Sequence, residues 1–230
     1  YVYNTPLQEV DYIENFGIQA VEVPEFLSTF ELIAYLRSTG KYESVSPNLM
    51  RGLPTDAGRF VAPTDGNSIA STNDPFGSAQ WHMDQIQVND ISSSYWGSGV
   101  VVAVIDTGVT AFNDGYANLG SGYDFYNNDS DASDDQGHGS HVAGTIAQAT
   151  NNGIGCRGVA PDVTIMPLKS LGSDGTGSVL YSIQAIDYAI NNGADIINMS
   201  LASSGASSDE ETAVNAALDA GIVVVAASGN

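Results

Sequence analysis

The sequence predicts an α/β fold, a doubly wound parallel sheet over residues 80–230, preceded by a small α+β unit over residues 1–50. The first observation is that short apolar runs alternate with helical stretches after residue 80. Apolar residues in consecutive positions are typical of strands that are buried on both faces, as in a parallel sheet. Strands that alternate with helices favour right-handed crossovers and therefore a doubly wound sheet.

Each element of the main domain is predicted from such a run or from a helical stripe. The predicted strands lie at 100–105, 163–168, 195–200 and 222–228. The predicted helices lie at 178–192 and 209–220. Acidic residues at the start of the second helix complement the positive end of its dipole, and Gly221 ends it.

The second observation concerns the first 50 residues, which carry two strand-like runs, at 18–24 and 42–48, around one amphipathic helix. Ser28 and Glu31 form a Ser-x-x-Glu capping box at its start, and Gly40 ends it. Residues 51–79 are rich in glycine, proline and small polar residues without periodicity. This composition predicts a flexible linker between the two units.

The charge of the chain limits its partners. The sequence has 230 residues, 43% of them hydrophobic, and a net charge of -21. A surface this acidic repels nucleic acids and anionic membranes, so we expect neither as a partner. No apolar run approaches the roughly 20 residues of a membrane span. The single cysteine, Cys156, excludes an internal disulfide.

Three polar residues follow strands or begin a helix, where ligands meet an α/β sheet. Asp106 follows a strand in Asp-Thr-Gly, His138 lies in a glycine-rich segment, and Asn230 follows the last predicted strand. Taken singly, each is equally a turn or structural residue. His138 and His141 also have a spacing that two metal ligands can adopt, although no third ligand is evident.

The order Asp, His, Asn on one α/β domain resembles the subtilase family. The matching stretches are AVIDTGV (103–109), GHGSHVAGT (137–145), GVAPDVTIMPLK (158–169), INMSL (197–201) and VVVAASGN (223–230). The resemblance implies a secreted serine endopeptidase with an Asp-His-Ser triad, acting on polypeptide substrates. It also implies that the domain is C-terminally incomplete, truncated before the serine nucleophile, because no Gly-Thr-Ser-Met-Ala motif is present.

The resemblance carries roles to individual residues. Asp106 would orient the imidazole of His138, His138 would act as general base and then general acid, and Asn230 would donate to the oxyanion. The two walls of the substrate cleft would be Ser200, Leu201 and Ala202 on one side and Gly175, Thr176 and Gly177 on the other. Both walls would pair with an extended peptide by strand addition. Ala202 stands where the family usually has glycine.

The resemblance also covers residues 1–50, which look like a subtilase propeptide. Such a segment acts as an intramolecular inhibitor of its own protease domain. We therefore expect the unit to pack on the helices of the protease domain. The tail beyond Val45 is expected to enter the cleft.

Calcium is the cofactor that the resemblance implies. Residues 124–135 hold five Asp and two Asn, an oxygen-rich loop that suits calcium, with Asp129 and Asp131 as candidate ligands. A solvated acidic loop is the alternative. A second candidate set is Asp114, Asn152 and the carbonyl of Ile154.

Two other functions compete with the endopeptidase. The first is a metal-dependent hydrolase that uses His138 and His141. The second is a non-catalytic pseudo-protease that binds extended peptides without cutting them. A serine-directed inhibitor separates the endopeptidase from both, and a chelator identifies the metal-dependent hydrolase.

Overall fold

A computed structural model describes residues 7–25, 27–52, 72–203 and 205–228, without the side chain of Phe30. Asn230 and residues 53–71 of the predicted linker lie outside this part. The helices of the described part are Thr29–Ser38 (α1), Trp81–Gln85 (α2), His138–Ala147 (α3), Val179–Asn191 (α4) and Ser208–Asp219 (α5). The strands are Glu9–Ile13 (β1), Ile18–Val21 (β2), Met50–Gly52 (β3), Val101–Asp106 (β4), Asn118–Leu119 (β5), Tyr123–Asp124 (β6), Thr164–Lys169 (β7), Thr176–Ser178 (β8), Ile196–Met199 (β9), Ala202–Ser203 (β10) and Val223–Ala226 (β11).

The main sheet is parallel, as predicted. Its strands run in the order β11-β9-β4-β7-β5, and β6 pairs with the end of β7. The two central strands, β4 and β7, are buried along all but their first residues. Their carboxyl ends meet in register, with Asp106 opposite Lys169. This edge is where polar site residues of an open α/β sheet collect.

Helices cover both faces of the sheet, which makes it doubly wound. Alternate residues of β4 point to opposite faces because the side-chain period of a strand is two. Val102 and Val104 pack with Ala143 and Ala147 of α3 on one face. On the other face, α4 and α5 pack with the sheet in a larger core. Its members from β4 and β7 are Ala103, Ile105, Met166 and Leu168.

The N-terminal unit consists of the antiparallel hairpin β1-β2 and helix α1. Helix α1 begins at the predicted capping box, in which the Ser28 hydroxyl and the Glu31 carboxylate bind each other's backbone amide. Leu32 and Leu36 are buried in the small core of this unit. Ile13 belongs instead to the main core with residues of α4 and α5, so the unit packs on these two helices.

Strand β3 leaves the N-terminal unit and forms a second sheet with residues of the main domain. The order of this sheet is β10-β3-β8, and both pairings are antiparallel. The backbone carbonyl of Leu49 also accepts a hydrogen bond from the amide of Val179. The end of the N-terminal unit is therefore inserted between two strands that the sequence assigns to the main domain.

Two predictions for the N-terminal region differ from the structure. The predicted strand at 42–48 is wrong: this segment is irregular, and the hydroxyls of Ser44 and Ser46 bind the carboxylate of Asp209 instead of a strand partner. The predicted linker 51–79 is ordered at both described ends. Residues 51–52 belong to β3, and residues 77–79 form a 3₁₀ turn.

Strand β11 differs from the other strands of the main sheet. Its consecutive apolar residues are typical of a strand buried on both faces, but Val223 is 56% exposed and Val225 is 49% exposed. In the described part of the chain β11 pairs only with β9, so one of its edges and much of its surface are uncovered.

No helix within the described ranges is long and apolar enough to cross a membrane.

Candidate active site

The structure brings Asp106 and His138 into direct contact. Asp106 is the last residue of β4 and is fully buried, and His138 is the first residue of α3. The ring nitrogen Nδ1 of His138 lies 2.8 Å from Oδ1 and 3.0 Å from Oδ2 of Asp106. The amide of Thr107 donates to Oδ1 of Asp106 at 2.8 Å, which fixes the carboxylate. Among the described residues, no hydrogen bond engages Nε2 of His138, and its side chain is 31% exposed.

Glycines allow this contact because the helix start approaches the strand end closely. Gly137 has a φ of 107°, a left-handed conformation that turns the chain into α3 at no steric cost. A Cβ at Gly139 would overlap the carbonyl oxygen of Gly108 and lie 3.2 Å from Cβ of Asp106. Only glycine fits at position 139 without displacing the loop that follows β4.

Asp134 links the segment after Asp106 to the start of α3, which carries His138, and the sequence analysis missed this role. Its carboxylate accepts hydrogen bonds from the Thr107 hydroxyl at 2.8 Å, the Gly137 amide at 2.8 Å and the Ser140 amide at 2.9 Å. Burial disfavours the charged form, but the hydrogen bonds outweigh it and the pKa of Asp134 is lowered. Its position four residues before His138, within the acidic loop, was the available signal.

The electrostatics of the pair favour the protonated form of the imidazole. The hydrogen bond that His138 donates to Asp106 raises the pKa of the imidazole above its ordinary value, burial opposes this, and the charges of Asp106 and Asp134 add to the increase. A second charge, on Lys169, is buried at the end of β7 opposite Asp106. The site therefore combines one partly exposed imidazole with the buried charged side chains of Asp106 and Lys169 at the ends of β4 and β7.

The two predicted cleft walls lie on either side of β3. Ala202 begins β10, and Thr176 and Gly177 lie in β8 directly after Gly175. A Cβ at Gly177 would overlap the backbone oxygen of Ser170, so this wall lies close to the residue that follows β7. The other wall residues are half-buried Ser200, whose hydroxyl accepts from Asn198 at 3.0 Å, and buried Leu201.

Comparison with known proteins identifies the domain that carries this pair. The sequence profile described as the subtilase family matches residues 97–230. The chain belongs to the subtilase family. Subtilisin Savinase of Lederbergia lenta is 44% identical over 154 residues, which are 66% of this chain and 56% of that protein. Alkaline elastase YaB of a Bacillus species is 45% identical over 151 residues, covering 65% of this chain and 39% of that protein.

A third relative and two solved structures complete the comparison. Minor extracellular protease Epr of Bacillus subtilis is 38% identical over 76% of this chain and 26% of that protein. Fervidolysin of Fervidobacterium pennivorans, described as a keratinolytic enzyme related to subtilisin, has a TM-score of 0.81 and 24% identity over 97% of this chain and 36% of that chain. It supports the fold alone. A structure of proteases from Pseudoalteromonas arctica has a TM-score of 0.62 and 36% identity over 70% of this chain and 59% of that chain.

The matched relatives are longer than this subtilase chain. The match covers 56% of subtilisin Savinase, 39% of alkaline elastase YaB and 26% of Epr, so the chain spans about half of their length or less. The predicted doubly wound α/β fold is confirmed by the match to fervidolysin. The prediction that the chain is a subtilase is confirmed by the family profile and the subtilisin relatives.

Two carboxylates of the acidic loop of this subtilase domain, those of Asp129 and Asp131, accept hydrogen bonds from within the loop. Asp129 accepts from the amide of Asp131, and Asp131 accepts from the amide of Ser133. Both carboxylates are exposed. The residues that the structure describes contain no group of three or more His, Cys, Asp or Glu that could hold a metal ion. The structure thus gives no support to a metal site at Asp129 and Asp131, or at His138 with His141.

The second predicted calcium set has a different character. The Asp114 carboxylate accepts from Asn152 Nδ2 at 2.7 Å and from the amide of Cys156 at 3.1 Å, and it also contacts Gln148. A Cβ at Gly155 would overlap this carboxylate. Asp74 is 4% exposed and accepts from the amides of residues 151 and 152 in the same loop.

Both carboxylates accept hydrogen bonds from the segment 151–156, and their charges raise the pKa of Cys156, after burial as the larger cause. Two acidic side chains with amide and carbonyl oxygens in a loop form a donor set that fits calcium. Asp74 was not predicted from the sequence, where it belonged to the linker.

Proposed function

We propose that this subtilase is a serine endopeptidase that cuts extended polypeptides through an Asp-His-Ser triad and an acyl-enzyme intermediate. The observation that carries the proposal is the contact of Asp106 with Nδ1 of His138 at 2.8 Å. This contact leaves Nε2 of a partly exposed imidazole available to a nucleophile. The pair lies at the carboxyl edge of the sheet, and relatives of this chain are named as subtilisins and as an alkaline protease.

The proposed chemistry follows from these contacts. Asp106 accepts a hydrogen bond from Nδ1–H of His138 and holds the tautomer in which Nε2 carries the lone pair. Nε2 takes the proton of the serine hydroxyl while that oxygen bonds to the scissile carbonyl carbon. The proton then passes to the leaving amine as the C–N bond breaks, and water releases the acyl group through the same base. The serine is proposed to follow Asn230, whose amide would donate to the oxyanion.

The test uses the complete gene product, the protein encoded by the open reading frame that contains this chain. We expect it to hydrolyse unfolded casein, and we expect phenylmethylsulfonyl fluoride to stop the reaction. Replacement of His138 by Ala should lower kcat/KM by roughly 10⁴-fold or more, the loss seen when a triad histidine is removed. The control is His141→Ala on the same helix, where the side chain is exposed and activity should remain within a few-fold.

Two results would contradict the endopeptidase. Loss of turnover with 1,10-phenanthroline but not with the sulfonyl fluoride would indicate the metal-dependent hydrolase. Peptide binding without cleavage, together with a residue other than serine at the nucleophile position, would indicate the non-catalytic peptide-binding protein.

We also propose that residues 1–50 inhibit the protease domain in the same chain. The support is that β3 occupies the space between the two cleft strands with antiparallel pairing on both sides. Contacts outside the cleft add to this: Asn15 donates to Asp187 of α4 at 2.7 Å, and Gln184 of α4 contacts Asp11. A substrate cannot pair with the cleft strands while β3 is in place.

Calcium and secretion complete the proposal. We propose that Asp74, Asp114, Asn152 and the carbonyl of Ile154 hold a calcium ion that stabilises the folded domain. Calcium would supply charge neutralisation to a loop with two acidic side chains and would take no part in the reaction. We propose an extracellular location because a relative at 38% identity is named an extracellular protease.

A further inference from the structure

Arg51 occupies an unusual position for a basic residue. It is the central residue of β3, where it pairs with Gly177 of β8 on one side and Ser203 of β10 on the other. Its side chain is only 9% exposed, although both neighbours in the strand lie at the protein surface or part-buried. The strand therefore directs one guanidinium into the domain, against the floor of the cleft.

The partner of this guanidinium is Glu210 of the main domain. Nη2 of Arg51 forms an ion pair with Oε2 of Glu210, whose side chain is 12% exposed. Glu210 lies in the first turn of α5, and the Ser207 hydroxyl accepts a hydrogen bond from its backbone amide at 3.3 Å. The positive end of the helix dipole favours a carboxylate at this place. Glu210 is thus a fixed negative charge that belongs to the cleft rather than to its occupant.

The other acidic side chains of this helix start are engaged differently. Asp209 accepts from the hydroxyl of Ser44 at 3.0 Å and also contacts Ser46, both in the N-terminal unit. Glu211 is exposed to solvent. Of these three side chains, only Glu210 contacts Arg51. A strand bound in this position therefore meets one negative charge at its central residue.

A buried carboxylate discriminates between occupants of the cleft. When its partner is a guanidinium, the pair is compensated. When the partner is neutral, the carboxylate remains buried without a counter-charge, which is strongly unfavourable. Among the described residues, Oε1 of Glu210 and Nε of Arg51 are buried without a hydrogen-bond partner, so the carboxylate has no alternative internal donor at that oxygen. The net charge of -21 adds a long-range attraction for basic peptides.

We propose that Glu210 is a specificity-determining residue that makes the cleft select arginine at one substrate position, the one that pairs with Gly177 and Ser203. A substrate that replaces β3 between the same two strands brings its own side chain to the place of Arg51. This inference rests on the proposed endopeptidase function, because it assumes that the strand-binding cleft is the substrate cleft. It assigns the preference to this cleft position and leaves the residue at the scissile bond unconstrained.

The test is a set of internally quenched peptides in which arginine is moved through successive positions of one fixed sequence. At each position, citrulline replaces arginine in a matched peptide and removes the charge at nearly constant shape. The enzyme is the mature complete gene product, and kcat/KM is measured for every pair. We expect arginine to be preferred over citrulline by roughly 10- to 100-fold at a single position, since a charged hydrogen-bonded contact has that effect on binding.

The variant Glu210→Gln should reduce this ratio to about twofold or less, because kcat/KM falls for the arginine peptide and rises for the citrulline peptide once no carboxylate is left without a counter-charge. Glu210→Leu should replace the arginine preference by a preference for leucine at the same position. Glu211→Gln, the exposed neighbour, is the matched control and should keep the wild-type ratio. The thermal unfolding midpoint of each variant, compared with that of the wild type, shows that the variant is folded.

The possible results separate the inference from the function on which it rests. Equal cleavage of arginine and citrulline peptides at every position, or an arginine preference that survives in Glu210→Gln, overturns the role of Glu210 and leaves the endopeptidase intact. If no peptide is cut, the endopeptidase proposal fails. Binding of the same peptides, labelled with fluorescein and followed by anisotropy, then decides whether Glu210 selects arginine.

Discussion

The ammonium group of Lys169 lies 2.6 Å from Oδ1 of Asp135, although the lysine side chain is only 1% exposed. The same nitrogen donates to the carbonyls of Thr107 at 2.7 Å and Leu171 at 2.8 Å. Three acceptors therefore saturate the three protons of the ammonium group. One of these carbonyls belongs to the residue after Asp106, so the lysine supports the loop that follows the carboxylate of the proposed triad.

The first prediction concerns this lysine. Lys169→Met keeps most of the volume but leaves two buried carbonyls and the Asp135 carboxylate without their donor. We expect a loss of unfolding free energy of about 3 to 5 kcal/mol, measured by denaturant titration of the complete gene product. Asp135→Asn, in which the half-exposed partner keeps an acceptor, should cost less, about 1 kcal/mol. A double variant with the full sum of both losses would contradict the coupling of the two side chains.

The second prediction concerns pH. The general base must be neutral, and Asp106 raises the pKa of His138. We therefore expect kcat/KM to rise with pH, with its midpoint above 6.5, the ordinary pKa of histidine. Asp134→Asn removes a charge that also raises this pKa, so the midpoint should move to lower pH. Asp129→Asn, an exposed carboxylate of the same loop, serves as the control. A midpoint that does not move in Asp134→Asn would exclude Asp134 from the electrostatics of the base.

The same shift has a consequence for folding. The pKa of His138 is higher in the folded than in the unfolded state, so the protonated imidazole stabilises the fold. This contribution is fully present below the unfolded pKa, and it is lost as the pH rises through the folded pKa. In His138→Gln, unfolding free energy should depend less on pH in this window.

The third prediction tests the close approach at Gly139. A methyl group there would overlap the carbonyl of Gly108, so Gly139→Ala should force the helix away from the loop after β4. We expect a loss of about 1 to 3 kcal/mol in unfolding free energy and a large fall in kcat. Gly144→Ala on the same helix is the matched control, because the nearest atom to its Cβ is 3.6 Å away. The control should be neutral or stabilising by about 0.5 to 1 kcal/mol. Equal losses in both variants would remove the special role of position 139.

The fourth prediction tests calcium. Chelation with EGTA should lower the melting temperature of the complete gene product, and calcium at 100 times its Kd should stabilise the fold by about 2.7 kcal/mol. Asp114→Asn should abolish the response to calcium, whereas Asp129→Asn in the acidic loop should retain it. The reverse pattern would place the calcium site in the acidic loop. A melting temperature that does not change with EGTA would contradict the calcium proposal.

The fifth prediction tests the N-terminal unit. A separately produced fragment of residues 1–70 should inhibit the mature enzyme at micromolar concentration, because it supplies β3 to the cleft. A fragment of residues 1–47 keeps the hairpin and α1 but ends before β3, and it should inhibit at least tenfold more weakly. Equal inhibition by both fragments would show that packing on α4 and α5, rather than strand insertion, blocks the enzyme.

The sequence predicted the main sheet because its signals are local. Consecutive apolar residues identify β4 and β7, and the capping box of Ser28 and Glu31 identifies the start of α1. The pairing of Asp106 with His138 came from the resemblance rather than from the pattern, and the order of the strands was not predicted. No local signal brings together two residues that are 32 positions apart.

The errors occurred where distant partners decide the structure. The segment around Ser44 and Ser46 has strand-like residues, but its hydroxyls are bound by Asp209 of α5. Glu210 was read from the sequence as one of three helix-start carboxylates. Its distinct environment depends on Arg51, which is 159 positions earlier in the numbering and lay in the predicted linker. Asp134 and Asp74 were likewise read as residues of polar segments. Their roles were missed because some or all of their hydrogen-bond donors lie far away in the sequence.

Because β3 is covalently linked to the main domain, its effective concentration at the cleft is set by the chain and not by the solution. While Met50–Gly52 is joined to the main domain through one continuous chain, it meets the cleft as an intramolecular ligand, at an effective concentration on the order of millimolar. A single break anywhere between Gly52 and the main domain turns the same contacts into a bimolecular complex. Its lifetime then depends on dilution, so a dilute medium would release an enzyme that a crowded one keeps closed.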